Sequence, residues 1–186
     1  MVFDFSITST KELSELTRAK KITKWLELVK YVKSLPYGRN TNRTDLSLVL
    51  KEGKGSCSSK HAFLKALAIE NDQVEIDLVL AIYKMNAENT NVGMILEKYK
   101  VDYIPEAHCY LKVCGKGLDA TSTKSSFEKI EKDILCEMSI LPEQVANYKV
   151  NYHQDYIKEW IQEKKVDFSF DEVWKIREEC IAYLSC

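Results

Sequence analysis

Residues 74–83, Val-Glu-Ile-Asp-Leu-Val-Leu-Ala-Ile-Tyr, begin by alternating apolar with polar and end continuously apolar. Alternation at period two marks a strand with one wet face, and an unbroken apolar run marks a buried one. This segment is therefore a strand passing from half-buried to buried. Two further strands are expected at 108–113 and about 117–121, joined by Cys-Gly-Lys-Gly, a hairpin signal.

Most of the remaining chain has helical period. Residues 9–35 are expected to be helix, entered at Ser9-x-x-Glu12, a capping-box pattern. Ile22, Trp25, Leu26, Val29 and Val32 form its apolar face, and Leu35-Pro36 stops it, because the residue before proline avoids the helical region. A polar loop with one helical turn near 46–50 follows. A helix then spans 57–70, where Ala62, Phe63, Ala66, Leu67 and Ile69 suit burial. Residues 84–106 are a long polar connection with a short helix at 92–99, placed to act as a lid or specificity wall. Helices are expected at 126–138, at 155–164 with Ile157, Trp160 and Ile161 on one face, and at 170–184 behind a second capping box, Ser169-x-x-Glu172. The sum is a helix-rich α+β fold with a small antiparallel sheet.

The chain has 186 residues, which suits one domain spanning 1–186, and 45% of them are hydrophobic, enough for a real core. It has 27 basic and 28 acidic residues, a net charge of −1, which gives no electrostatic case for nucleic acid or an anionic membrane. The opening Met-Val-Phe-Asp-Phe-Ser has no basic n-region and no apolar run of signal-peptide length, and no stretch is long and apolar enough to span a membrane. The six cysteines form no C-x-x-C pair and no zinc-type spacing. Reduced thiols in a cytoplasmic protein, without metal or other cofactor, are the expectation.

Chemistry concentrates in three short stretches: Gly-Lys-Gly-Ser-Cys-Ser-Ser-Lys-His (53–61), His-Cys-Tyr-Leu-Lys-Val (108–113) and Gly-Leu-Asp-Ala-Thr (117–121). Cys57 opens a helix behind Ser56, a natural N-cap, and a thiol there is pushed toward thiolate by the helix dipole and free backbone N–H groups. His108 starts a strand and could serve as base. Asp119 interrupts an apolar strand, where aspartate is disfavoured without a partner. A two-residue Gly115-Lys116 turn would set Asp119 opposite Lys112, out of reach. A four-residue loop, 113–116, would set it opposite Tyr110 and diagonal to His108, within side-chain reach. His61, one helical turn after Cys57, competes as base but lacks an orienting carboxylate; a surface or structural role suits it better. His153 shows no helper pattern.

The order helix, Leu-Pro-Tyr, loop, Gly-Lys-Gly-Ser-Cys, helix, strand, His-Cys-Tyr-Leu-Lys-Val and Gly-Leu-Asp-Ala-Thr resembles the transglutaminase-like core of the papain-type cysteine enzymes. The resemblance covers about residues 22–122 and leaves 123–186 as a helical C-terminal extension. It implies Cys57 as nucleophile, His108 as base and then acid, Asp119 as orienter, and Tyr37 as a candidate donor to the oxyanion. It also implies a peptide, protein or small amide substrate. The hairpin is shorter than usual for the family and lacks its tryptophans. Two other readings stay open: an inactive transglutaminase-like binding or scaffold protein, and a helix-rich interaction domain that docks a partner through its Trp160 and Trp174 helices.

Overall fold

The computed structural model describes residues 3–184; Cys186 lies outside the described residues. Within them are seven α-helices and a four-stranded antiparallel sheet in the order β3-β2-β1-β4, an α+β fold. The strands are β1 (Ile76–Met85), β2 (Ile104–Val113), β3 (Lys116–Leu118) and β4 (Ile134–Ile140). The helices are α1 (Glu12–Ala19), α2 (Trp25–Ser34), α3 (Leu48–Lys51), α4 (Cys57–Glu70), α5 (Gly93–Tyr99), α6 (Asn147–Lys164) and α7 (Phe170–Leu184). No helix among the described residues is long and apolar enough to cross a membrane.

β1 and β2 are the backbone of the molecule, paired over ten residues from Ile76↔Val113 to Met85↔Ile104. Leu78, Leu80, Ile82, Ala107, Cys109 and Leu111 join Trp25, Leu28 and Val32 of α2 and Phe63, Leu64 and Leu67 of α4 in the larger core. α4 is buried almost all round, which follows from its Ala-, Leu- and Phe-rich sequence. A second core forms at the other end of the same two strands, where Met85 and Ile104 meet Ile95 and Leu96 of α5, Ile157 and Trp160 of α6, and Val173, Ile176 and Cys180 of α7.

Three expectations are corrected. Residues 9–35 are two helices, because 5–7 pair with 23–25 in an extended bridge (Trp25 N–H to Phe5 O, 3.0 Å; Ile7 N–H to Thr23 O, 2.9 Å). The Ser9 capping box does not form there. The Glu70 carboxylate at the end of α4 instead accepts from the Leu13 and Ser14 N–H groups (3.1 and 2.7 Å) and caps α1 from outside. Residues 126–138 are not helix: two 3₁₀ turns (Phe127–Lys129 and Glu131–Asp133) lead into β4, which pairs with Leu78–Tyr83 of β1. Ile134, Cys136, Met138 and Ile140 alternate with the exposed Leu135, Glu137 and Ser139, a period-two signal. The segment after 122 is thus more than a helical extension, since it contributes a strand to the sheet. Finally, α5 packs on α7 in the second core and, of residues 84–106, only Glu106 lines the pocket described below, so this connection is no lid over it.

Candidate active site

The sequence around Cys57 builds a rigid helix start. Gly53 has φ of +64°, a left-handed backbone that favours glycine. A Cβ on Gly55 would meet the Lys60 and Ser59 side chains at 2.8 and 2.9 Å. Ser56 is the N-cap, as expected: its Oγ accepts from the Ser59 N–H (3.3 Å), and the Ser59 hydroxyl accepts from the Ser56 N–H (3.0 Å). Cys57 is therefore the first helical residue, and it is buried.

Asp119 reaches His108 through a two-residue turn, but one placed a residue earlier than the two-residue turn considered. Val113 pairs with Lys116, so the turn is Cys114-Gly115, with φ of +48° and +77°. Positive φ at both central residues is the type I′ geometry that fits the strand twist. The register is that of the longer loop, Leu111↔Leu118, which puts residue 119 across from Tyr110 and diagonal to His108. β3 ends at Leu118, so Asp119 sits just past the strand rather than on it. Its Oδ2 lies 3.1 Å from His108 Nε2, and its Oδ1 accepts from the Thr121 N–H at 2.8 Å.

With Nε2 committed to Asp119, Nδ1 is the ring nitrogen left to face Cys57, and each group feels the other's charge. Burial alone would push the Cys57 thiol up. The Lys149 ammonium, the charge of His108 and the Cys109 backbone N–H outweigh it and bring the thiol down to about 5. Burial likewise disfavours a charged His108, yet Asp119 and the thiolate hold the imidazolium well above its ordinary range. Asp119 is kept ionised by His108, against its own burial. The three groups thus sit as a carboxylate, an imidazolium and a thiolate.

His61 is neither a surface residue nor a base. It is fully buried; its Nδ1 lies 2.7 Å from the Cys57 carbonyl and its Nε2 accepts from the Ala120 N–H at 2.7 Å. It ties the helix of Cys57 to the segment carrying Asp119. Lys60 does the same one residue earlier, donating to the Leu35 and Thr121 carbonyls at 2.6 and 2.7 Å. His153, from α6, is buried 2.9 Å from the Pro105 carbonyl.

Cys57 opens into a cavity of about 380 Å³. Tyr37 stands at its edge, held by the Gly38 N–H to Gly55 O and Gly55 N–H to Pro36 O bonds, both 3.2 Å. Burial and the neighbouring thiolate push its hydroxyl up to about 12, so it is a neutral donor near pH 7. The opposite wall is α6 and α7. Lys149 donates to Ser58 Oγ at 2.7 Å and approaches Cys57 Sγ at 3.6 Å. Arg177 makes a bidentate pair with Glu106 (2.7 and 2.6 Å) and lies 5.2 Å over the Trp174 ring. Trp160 does not point outward to dock a partner; it is buried, donating to the Tyr103 hydroxyl at 2.9 Å.

Lys149, Lys60 and the Glu106–Arg177 pair were not foreseen. Lys60 is legible in hindsight as a lysine inside an apolar helix, and Glu106 as a carboxylate entering a buried strand. Lys149 meets Cys57 across 92 residues of sequence, a distance no local pattern spans. Among the described residues no three His, Cys, Asp or Glu side chains gather as a metal site. No protein-family model matches the chain, and no curated protein or solved structure matches it.

Proposed function

We propose that this protein is a cysteine-dependent acyl-transfer enzyme of the transglutaminase-like, papain-type kind, hydrolysing an amide or peptide bond through a thioester. One observation supports the reading above all: a thiol at the start of a capped helix lies beside an imidazole whose Nε2 is 3.1 Å from a buried carboxylate. Nucleophile, base and orienter need that chain of contacts.

The chemistry follows from the charges. The Cys57 thiolate attacks the acyl carbon, a C–S bond forms, and the carbonyl electron pair moves onto oxygen. The N–H groups at the start of α4 and the Tyr37 hydroxyl are the donors near that oxyanion. As the intermediate collapses the C–N bond breaks, and the departing nitrogen takes the His108 proton. Water then attacks the thioester and gives a proton to His108. The C–S bond breaks, releasing the carboxylic acid and restoring thiolate and imidazolium.

Cys57 alkylation by iodoacetamide, followed by peptide mass mapping, tests this. The rate is expected to rise with a midpoint near pH 5, where the thiolate forms. In His108→Ala the midpoint should move toward the roughly 8.5 of a free thiol. Cys57→Ala should keep the fold and lose all turnover. Slow labelling in both wild type and His108→Ala, rising only near pH 8.5, would leave a binding module in place of an enzyme.

A further inference from the structure

We propose that the acyl donor of this site carries a carboxylate beside its scissile carbonyl, and that Lys149 receives it; the inference rests on the acyl-transfer reading above. The cavity is lined by four cationic side chains, Arg39, Arg43, Lys149 and Arg177, and by two carboxylates, Glu106 and Glu178. Both carboxylates are already matched. Glu106 holds Arg177 in two hydrogen bonds, and Glu178 pairs with Arg39 at 3.3 Å and with Arg177. Lys149 forms no ion pair with a carboxylate among the described residues. Its partners are the Ser58 hydroxyl and the Cys57 sulfur.

An ammonium has three protons. Two are directed to Ser58 Oγ (2.7 Å) and Cys57 Sγ (3.6 Å), which leaves one for a ligand in the cavity. The reaction sharpens the need. While Cys57 is a thiolate, Lys149 has a negative neighbour; once the thioester forms, that charge is gone. A partly buried cation that loses its nearest counter-charge is destabilised, with only the Ser58 hydroxyl and the Glu106 charge left to hold it. A substrate carboxylate next to the reacting carbon keeps Lys149 paired through the acyl-enzyme, and the excess of cations in a shaped cavity concentrates such a substrate. The chemical class is therefore a peptide or small amide with an acidic group, side-chain or terminal, flanking the bond that is cut.

The test compares two alkylating agents of similar size. Iodoacetate carries a carboxylate one bond from the carbon that the thiolate attacks; iodoacetamide is neutral. The ratio of their rate constants at Cys57 cancels the thiolate fraction and reads charge recognition alone. N-acetylcysteine amide supplies the ratio for a thiol without surroundings. The wild-type ratio is expected to exceed the free-thiol ratio by about tenfold, the factor that roughly 1.4 kcal/mol carries. Lys149→Met should bring it most of the way back toward the free-thiol value, the remainder belonging to the His108 imidazolium, and Lys149→Arg should preserve it. A wild-type ratio equal to that of the free thiol, or one unchanged in Lys149→Met, overturns the proposal. Fast labelling by both reagents without charge preference sinks this inference and leaves the acyl-transfer reading standing. Slow labelling by both, insensitive to His108→Ala, overturns the two together.

Discussion

His61 has both ring nitrogens committed, and its partners fix its state. The Cys57 carbonyl can only accept, so Nδ1 carries the proton; the Ala120 N–H can only donate, so Nε2 is bare. The ring is neutral, and burial, opposed by Asp119 and helped by His108, holds its pKa at about 4. A native pKa below the unfolded value of about 6.5 means that the unfolded chain takes the proton first. The stability that neutral His61 contributes is complete above about pH 6.5 and is lost as pH falls toward 4. Wild type should therefore lose about 2 kcal/mol between pH 7 and pH 5 from this group. His61→Gln should be weaker at pH 7 but lose distinctly less over the same interval, as read by urea unfolding. Parallel losses in the two proteins would remove His61 as the source.

Two element contacts decide whether the pocket keeps its shape. The first is the β2–β3 hairpin. A Cβ on Gly117 would come within 2.2 Å of the Phe127 ring, and that ring packs at a tilt against Tyr110, centroids 4.8 Å apart. Gly117→Ala should cost about 1–3 kcal/mol, as over-packing does. Because Asp119 is two residues further on, the same change should slow Cys57 alkylation; a destabilised protein with undiminished labelling would separate hairpin from site. The second contact joins β2 to α7 through Glu106 and Arg177, both nearly buried. Arg177 outweighs the burial of Glu106 and brings its carboxyl down to about 2. That stability is present above the unfolded carboxyl value of about 4.5 and is lost as pH falls through 2. Glu106→Gln should cost about 3 kcal/mol at pH 7, since it strands a buried guanidinium. The gap to wild type in chemical denaturation should close as pH drops from 4.5 toward 2.

At the scale of the whole molecule, the cavity is the seam between two cores. Helices α2 and α4 belong to one, α5 and α7 to the other, α6 packs against both, and Cys57 meets Lys149 where they adjoin. β1 and β2 contribute residues to both cores and make them one cooperative unit. Trp25 is buried in the first core, whereas Trp160 and Trp174 belong to the second. Variants keeping only Trp25, or only the other two, should unfold at the same denaturant concentration by fluorescence. Separate midpoints would show that the second core opens by itself.

The sequence alone determined what local chemistry controls. α4 and α7 run over the expected residues because caps and apolar periodicity are local signals. The Ser169–Glu172 box closes α7, with the Glu172 N–H donating to Ser169 Oγ at 3.4 Å. The apolar run of β1 needed cover on both faces and has it. That His108 and Asp119 share a face of the hairpin was legible from strand alternation, but the register was open between two loops, and Cys114, with no glycine's freedom, gave no sign that it takes the left-handed turn. The tertiary structure decided the rest. It broke the first helix by pairing 23–25 with 5–7, turned 134–140 into the strand that covers the free edge of β1, and replaced the Ser9 cap with Glu70. It split α7 into two faces, Val173, Ile176 and Cys180 for the core and Trp174, Arg177, Glu178 and Ile181 for the cavity. It also brought Lys149 to the sulfur. Caps and periodicities act within one turn or one strand of the chain, while charge pairs and covered edges join residues that only the fold makes neighbours.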